Sequence, residues 1–494
     1  MNTRCIARIV SCGLLLANVI MGAPQQIPKT WDDAVVAALE VPLVNRAYSP
    51  VHISSADYYR LPVRQVFKSY PIYAPGKEPS GYIDWLMQRE PVIVFDPAKL
   101  KTEADWVRAG ELVFDAPIRY LPKSNSSTST LEFWQGMPTS RDGTLPFQQY
   151  VIRKRGVIEV GDASCGKCHT RVISDGTILK GAQGNFPDGS VTAASLRRRA
   201  VDDNHDADVR MALYRNGQRA NVGAPWIQPD PAEDYVSSFD EMVASWAALI
   251  PGVAPRGAGR RYAPQIPDLI GVKERRYLDH TGLVRHRSIG DLMRYAALNQ
   301  DIGVLARYGD FRPADFILPG ASSRYSDEQL YALVLFVYSL KPPQNPNKLD
   351  AMATRGQKVF KREGCAGCHT PPLYTNNKLT TAEGFKTPEA DSNKFDILAV
   401  SVGTDPNLAL RTRRGTGYYK VPSLKGLWYR GPFEHNGSVA TLEDWFDPRR
   451  LRADYIPTGY KPHGVKTRAV KGHEFGLQLS WQDKQALITF LKSL

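Results

Sequence analysis

Two five-residue motifs, Cys165-Gly-Lys-Cys168-His169 and Cys365-Ala-Gly-Cys368-His369, constrain this chain more than any other feature. C-x-x-C-H is the signature of covalent c-type haem attachment. The two thiols add across the porphyrin vinyl groups, and the imidazole that follows ligates the iron. Positions i, i+3 and i+4 of a helix share a face, so both sulfurs and the ring can meet one haem edge. A C-x-x-C pair also serves as a zinc half-site or a redox dithiol. Here each pair is followed at once by His, and no other cysteine pair completes a zinc site. The motifs imply two covalently bound haem c groups on Cys165, Cys168, Cys365 and Cys368, with His169 and His369 as proximal iron ligands.

The remaining two of the six cysteines, Cys5 and Cys12, lie in an N-terminal stretch that reads as a secretory signal. Arg4 and Arg8 precede an apolar run over residues 9–20, and small residues Gly22-Ala23 precede Pro24. Cleavage of residues 1–23 leaves no cysteine outside the haem motifs, so no structural disulfide can form. A lipoprotein box ending at Cys12 and an uncleaved anchor are the competing readings of this stretch. Haem attachment to c-type chains takes place outside the bacterial cytoplasm, so signal and motifs agree on a periplasmic or secreted protein. No later stretch is long and apolar enough to span a bilayer, and residues 330–340 read as a buried helix. The net charge of +13 is spread along the chain. Arg197-Arg198-Arg199 and the run 411–414 therefore suit solvated faces or haem-propionate partners better than nucleic acid.

The chain repeats itself. Residues 326–340 align with 480–494, sharing Ala332/Ala486, Leu333/Leu487, Phe336/Phe490 and Ser339/Ser493. Both read as Ser-capped amphipathic helices, the first with a Ser-x-x-Gln capping box. Upstream, Gly110-Glu-Leu-Val-Phe114 matches Gly356-Gln-Lys-Val-Phe360. Each unit keeps the order of a class I cytochrome c domain: first helix, haem motif, loops, last helix. The expected fold is mainly α, with two such domains at 101–340 and 350–494 and a linker at 341–349 rich in Pro, Asn and Lys. Residues 115–160 form a β-containing insertion in the first domain, with alternating segments at 147–152 and 157–160. Residues 24–100 have no repeat counterpart and read as an irregular N-terminal extension.

The second unit carries Tyr419-Lys-Val-Pro-Ser-Leu-Lys-Gly-Leu-Trp-Tyr-Arg-Gly-Pro-Phe-Glu-His435-Asn-Gly-Ser-Val-Ala-Thr-Leu-Glu-Asp-Trp445. This resembles the bacterial dihaem cytochrome c peroxidase superfamily, whose C-terminal domain has Val-Pro-Ser-Leu-Arg followed by Pro-Tyr-x-His-Asn-Gly-Ser-x-x-Thr-Leu. The resemblance covers 350–494 well and 100–340 more weakly. The wide haem spacing and Gly472-His473-Glu-Phe-Gly476 are most similar to the branch containing the haem-dependent rubber oxygenase. Nothing in the residues identifies polyisoprene as a substrate.

Distal ligands decide whether a haem relays electrons or does chemistry. No methionine follows His369, so the local candidates for the second iron are His435, His463 and His473 or a tyrosine, with Met352 just upstream a more remote one. His473 resembles the distal histidine of the rubber-oxygenase branch and is the candidate distal ligand, against a purely turn-forming role. His435 reads as organising the pocket. His205, His280 and His286, the last two beside Arg285, Arg287 and Arg294, are weaker candidates near the first haem. Trp226 is a candidate aromatic bridge between haems, against simple packing.

The resulting expectation is an oxidoreductase, peroxidase-like, whose first haem reacts with peroxide or oxygen while the second relays electrons. The alternatives are an oxygenase acting on a small organic substrate and a non-enzymatic electron-transfer cytochrome. Its partners would be a small redox protein, a cytochrome or cupredoxin, and no nucleic acid. Calcium is not indicated by the sequence.

Overall fold

A computed structural model describes residues 26–202, 238–254, 263–300, 305–308, 323–412 and 414–494. Helix outweighs strand, 35% to 14%, so the fold is mainly α. Two helix pairs organise it, and each pairs a matched segment of the repeat. Helix α1 (Glu103–Asp115) packs on α2 (Asp327–Ser339), and α3 (Ala351–Arg362) packs on α4 (Trp481–Lys492). Local chemistry starts each helix. Thr102 and Asp105 form a capping box on α1, as do Ser326 and Gln329 on α2. The side chains of Asp350 and Ser480 accept the N3 amides of α3 and α4.

The crossing points are equivalent. A methyl group on Gly110 would overlap the carbonyl of Ala332 and stand 2.8 Å from the Phe336 Cβ. One on Gly356 would overlap the carbonyl of Ala486 and stand 2.7 Å from the Phe490 Cβ. Phe114 meets Phe336 at 5.2 Å between ring centroids, and Phe360 meets Phe490 at 5.3 Å. Glycine is required here because the two backbones touch.

Helix α2 is apolar and buried on nearly every side, as the reading of 330–340 as a buried helix expects, rather than amphipathic. The cause is the N-terminal extension, which is far from irregular. Trp31 stacks on Tyr58 at 4.6 Å, and both join the core around Leu330–Val334. The Thr30 backbone amide bonds the Asp327 carboxylate at 3.1 Å, and the Gln329 side-chain Nε2 donates to the Arg64 carbonyl at 2.8 Å. The extension also gives strand β1 (Ser69–Tyr73) to an antiparallel sheet with β2 (Arg119–Pro122), β3 (Thr144–Lys154) and β4 (Val157–Asp162), in the order β1-β3-β4-β2. Tyr70 lies opposite Tyr150, and Tyr150 opposite Val160. The expected hairpin is therefore the centre of a larger sheet completed by a segment that precedes the first helix. Its second sheet, in the later half, sets β5 (Leu379–Thr381) between a parallel β6 (Ile397–Leu398) and an antiparallel β7 (Tyr418–Lys420).

A strap over residues 263–286 stitches the halves together. The Gln265 amide bonds the His435 carbonyl at 2.8 Å, its side chain bonds the Pro432 carbonyl at 2.6 Å, and the Lys420 amide bonds the His280 carbonyl at 2.9 Å. The Tyr429 hydroxyl donates to the Asp268 carboxylate at 2.9 Å. Among the described residues no helix is long and apolar enough to cross a membrane.

Candidate functional site

Both C-x-x-C-H motifs fold as one helical turn. The amide of His169 bonds the carbonyl of Cys165 at 2.9 Å, and that of His369 bonds Cys365 at 2.9 Å. Ser164 caps the first turn, and Gly364, at φ +77, turns the chain into the second. The two histidines are then fixed alike. His169 Nδ1 lies 3.1 Å from the Pro267 carbonyl, and His369 Nδ1 lies 3.1 Å from the Pro422 carbonyl and 3.2 Å from that of Tyr374. A carbonyl can only accept, so Nδ1 carries the proton in both rings and Nε2 keeps its lone pair. Burial pushes both imidazoles down to about 4, with His473 adding to the effect at His369, so both are neutral near pH 7. A neutral ring with an oriented Nδ1–H is the form a metal requires.

The alternative readings of the motifs find less support. Burial pushes the Cys365 thiol up to about 11, the opposite of the lowered value that drives a redox dithiol. No cluster of three His, Cys, Asp or Glu side chains capable of holding a metal ion occurs among the described residues.

His369 opens into a cavity whose two ends differ. Towards α3 and α4 it is lined by Phe360, Leu487, Leu491 and Phe446, beside Cys365 and Cys368; towards the strap it is lined by Asp268, Arg275, Lys420 and Arg430. His473 faces His369 across it, with ring centroids 6.2 Å apart and planes at 56°. A metal ion held between two imidazoles sets their centroids roughly 6 Å apart, given metal–nitrogen bonds of about 2 Å and the half-width of each ring. The His473 Nδ1 is buried without a hydrogen-bond partner, and Trp445 and Phe475 flank the ring at 5.4 and 5.3 Å. The donor set and the amphiphilic cavity thus fit a haem attached at Cys365 and Cys368.

The loop that presents His473 is strained and clamped. His473 adopts φ +49, and Gly472, at φ +80, is pressed against the backbone of Gly403 and Thr404, where a side chain has no room. Non-glycine residues at positive φ cost energy and gather at functional sites. The His473 amide bonds the Val402 carbonyl at 2.6 Å. Arg450, 1% exposed, donates to the carbonyls of Trp445 at 2.9 Å, Val470 at 2.6 Å and His473 at 2.9 Å.

His435 lines the same cavity but spends both ring nitrogens on neighbours. Nδ1 pairs with the Glu434 carboxylate, and Nε2 lies 3.5 Å from the Tyr419 hydroxyl. The Thr404 hydroxyl also bonds Glu434, itself at φ +73. Burial opposes the Glu434 charge, yet His435 and Thr404 hold its carboxyl down to about 2. His463 is exposed on a turn. His280 Nε2 bonds the Gln265 carbonyl at 2.7 Å; His286 is engaged at both nitrogens, by the Arg275 carbonyl at 2.7 Å and the Tyr338 hydroxyl at 2.6 Å. His286 therefore has no nitrogen left for a ligand role, whereas His280 has only Nε2 engaged. Arg287 and Arg294 pair with Asp291, and Arg414 pairs with Asp279 in the core. Trp226 and His205, like the signal residues 1–23, lie outside the described residues.

Glu434, Lys420 and Arg430 went unassigned in the sequence although all three stand in the 419–445 segment. Arg275, Asp268 and Arg450 carried no signal there, because each reaches the cavity or its loop through the tertiary fold.

No protein-family profile matches the chain. Cytochrome-c peroxidase IdrP1 of Denitromonas iodatirespirans is 27% identical over 164 residues, covering 30% of this chain and 41% of the relative. The protein of the same name from Pseudomonas sp. (strain SCT) is 24% identical over 173 residues, again 30% of this chain and 41% of the relative. The matches thus span about two fifths of these relatives' length. They support a cytochrome c peroxidase-like family. Among solved structures, hydrazine synthase of Kuenenia stuttgartiensis and a MauG-like protein associated with microbial copper homeostasis each superpose with a TM-score of 0.29 at 18% identity, over 59% of this chain and 89% and 90% of theirs.

Proposed function

We propose that this chain is a dihaem c-type oxidoreductase of peroxidase-like type, with haem on Cys165/Cys168 and on Cys365/Cys368 and with His169 and His369 as proximal ligands. The observation that carries the reading is the opposition of His369 and His473 across one cavity at 6.2 Å. When bound, the cofactor supplies a redox-active iron. At the second centre the neutral imidazoles of His369 and His473 would both hold the iron, which would suit electron relay and leave no place for peroxide or oxygen. His369 is held by two carbonyls, and His473 by a strained loop that Arg450 pins. Substrate chemistry then falls to the centre on His169.

The similarity to cytochrome-c peroxidases favours peroxide as the substrate and a small redox protein as the electron donor. The finer likeness to the rubber-oxygenase branch rests on Gly472–Gly476 and the haem spacing, and it keeps an oxygenase acting on an organic molecule as the second reading. The two class I cytochrome c domains, each built around one matched helix pair, and a periplasmic or secreted location belong to the same proposal.

Electron paramagnetic resonance of the purified holoprotein tests it. The expected result is one low-spin signal from the second centre and one centre that changes spectrum on adding hydrogen peroxide once the other is reduced. Two low-spin centres, both silent to peroxide and oxygen, would mean a plain electron-transfer cytochrome.

A further inference from the structure

The cavity around His369 is polarised in charge as well as in polarity. At its strap end stand three cations, Arg275, Lys420 and Arg430, and one carboxylate, Asp268. Asp268 is already committed: its Oδ2 accepts the Tyr429 hydroxyl at 2.9 Å, its Oδ1 accepts the Ile270 amide at 2.8 Å, and Arg430 Nε stands 3.8 Å away. Asp279, the other acid near Lys420, is 5% exposed and paired with Arg414 at 3.3 Å. Glu434, which also lines the cavity, is paired with His435.

The cations are short of anions. Arg275 spends its guanidinium on the backbone carbonyls of Asp268 and Ile270, and Arg430 Nη1 on those of Ser423 at 2.9 Å and Lys425 at 3.1 Å. Arg430 Nε is buried without a hydrogen-bond partner, and Lys420 stands in the same wall, with Asp279 as the acid that favours its charge. Carbonyl dipoles orient a cation but do not neutralise it. Taking two uncompensated positive charges out of water is costly unless a counter-charge enters with them. The strain shows at Lys420, where burial and then the nearby Arg275 and Arg430 push the ammonium down to about 7.

From this wall we infer that Arg275, Lys420 and Arg430 form a carboxylate-receiving site, and that the carboxylates it takes are the two propionates of the second haem. This rests on the reading that a haem occupies Cys365 and Cys368. The match is one of charge and of shape. Haem is apolar over its macrocycle and at the vinyl edge, which the two cysteines take, and it is anionic only at the opposite edge. The cavity lining holds both kinds of surface, the cysteines with Leu487 and Leu491 and a group of cations close enough to act on one another. Two surplus positive charges meet two negative ones. A further consequence concerns the fold. Arg275 and Asp268 belong to the strap, so the first half of the chain closes the second haem's site. The strap that supplies Arg275 also supplies Pro267, whose carbonyl holds His169, so one segment would serve both motifs.

The test uses the holoprotein and its K420M, R430M and K420R variants. Mass measurement of the proteolytic peptide spanning Cys365–His369 comes first; without haem mass on that peptide the underlying occupancy fails, independently of the wall. With haem present, spectroelectrochemical titration should show the second centre at a lower midpoint potential in K420M and in R430M, since losing a positive charge favours the oxidised iron. The first centre should not move, and K420R should restore the wild-type value. An unmoved second centre in both methionine variants, or a shift confined to the first, overturns the inference. If K420M loads only the first haem, K420R must regain the second; a K420R chain left equally empty also overturns it. Acetate titrated into the wild-type holoprotein separates a propionate from a free acid: a filled wall gives no spectral or potential change, whereas an acetate-dependent shift means that the wall serves a diffusible carboxylate instead.

Discussion

Gly356 and Ala486 touch through their backbones, and a methyl group on the glycine would overlap the alanine carbonyl. The relationship is repeated between Gly110 and Ala332 in the first half. In both places the glycine sits mid-helix, where it forgoes roughly 1 kcal/mol of helix propensity relative to alanine.

The magnitudes decide what Gly356→Ala would do. The propensity gain is about 1 kcal/mol. Against it stands overpacking of about 1–3 kcal/mol or more, since the obstacle is a carbonyl that can move only if α3 and α4 separate. The expected outcome is a net loss of stability, seen as a lower midpoint in thermal unfolding followed by far-UV circular dichroism. Gly110→Ala should behave the same way. A Gly356→Ala protein that melts at or above the wild-type temperature would show that the pair can slide apart freely.

The crossing was legible in the sequence because both of its partners recur: Gly110/Gly356 and Ala332/Ala486 stand at matching places in two copies. The same holds for the one-turn geometry of the C-x-x-C-H motifs, where spacing alone fixes which side chains share a face. What escaped the sequence was long-range. Strand β1 has no pattern that announces its pairing with β3, a segment over seventy positions later, and the extension looked irregular for that reason. Arg275 and Arg450 looked like two more of many dispersed surface cations. Burial made them otherwise, and burial is a property of the whole fold.

His473→Ala should convert the second centre from low to high spin. The rings that flank the vacated place, Trp445 and Phe475, cannot ligate iron. Added imidazole should restore the low-spin spectrum by filling that place. A variant that stays low-spin without imidazole would mean that His473 merely packs beside the haem.

Arg450→Met tests the clamp on that loop. The substitution keeps most of the apolar stem but leaves the carbonyls of Trp445, Val470 and His473 without their donor. Each unpaired buried acceptor costs about 1–3 kcal/mol, so a loss of about 3 kcal/mol or more is expected. The loop should also loosen, so the second centre should show a mixed-spin spectrum in protein that keeps its first-centre spectrum. Arg450→Lys should recover only part of this, since one ammonium cannot reach three carbonyls spread over the loop as a planar fork does. A fully low-spin Arg450→Met protein would remove Arg450 from the positioning of His473.

The Glu434–His435 pair gives the cavity a pH dependence whose sign can be worked out. Burial disfavours both charges, but each partner rescues the other, so the Glu434 carboxyl is held down to about 2 and the His435 imidazole is raised above its ordinary value. A carboxyl depressed on folding stabilises the fold above its ordinary value near 4.3, and that contribution drains away as pH falls through about 2. A raised imidazole does the reverse: its contribution is complete below the ordinary value of about 6.5 and is lost as pH rises through the folded value. Glu434→Gln removes the charge that holds His435 protonated, leaving burial to push the ring towards neutrality. At pH 6 the variant should therefore be less stable than wild type by about 3–5 kcal/mol, the usual result of breaking a buried pair. At pH 9 the gap should narrow, since the imidazole's contribution drains as pH rises through its folded value. Thermal or denaturant unfolding of both holoproteins at the two pH values measures this difference directly. A gap that is the same at pH 6 and pH 9 would mean that His435 is not protonated in the fold, and that Glu434 is held by Thr404 and the backbone amide of His435 alone.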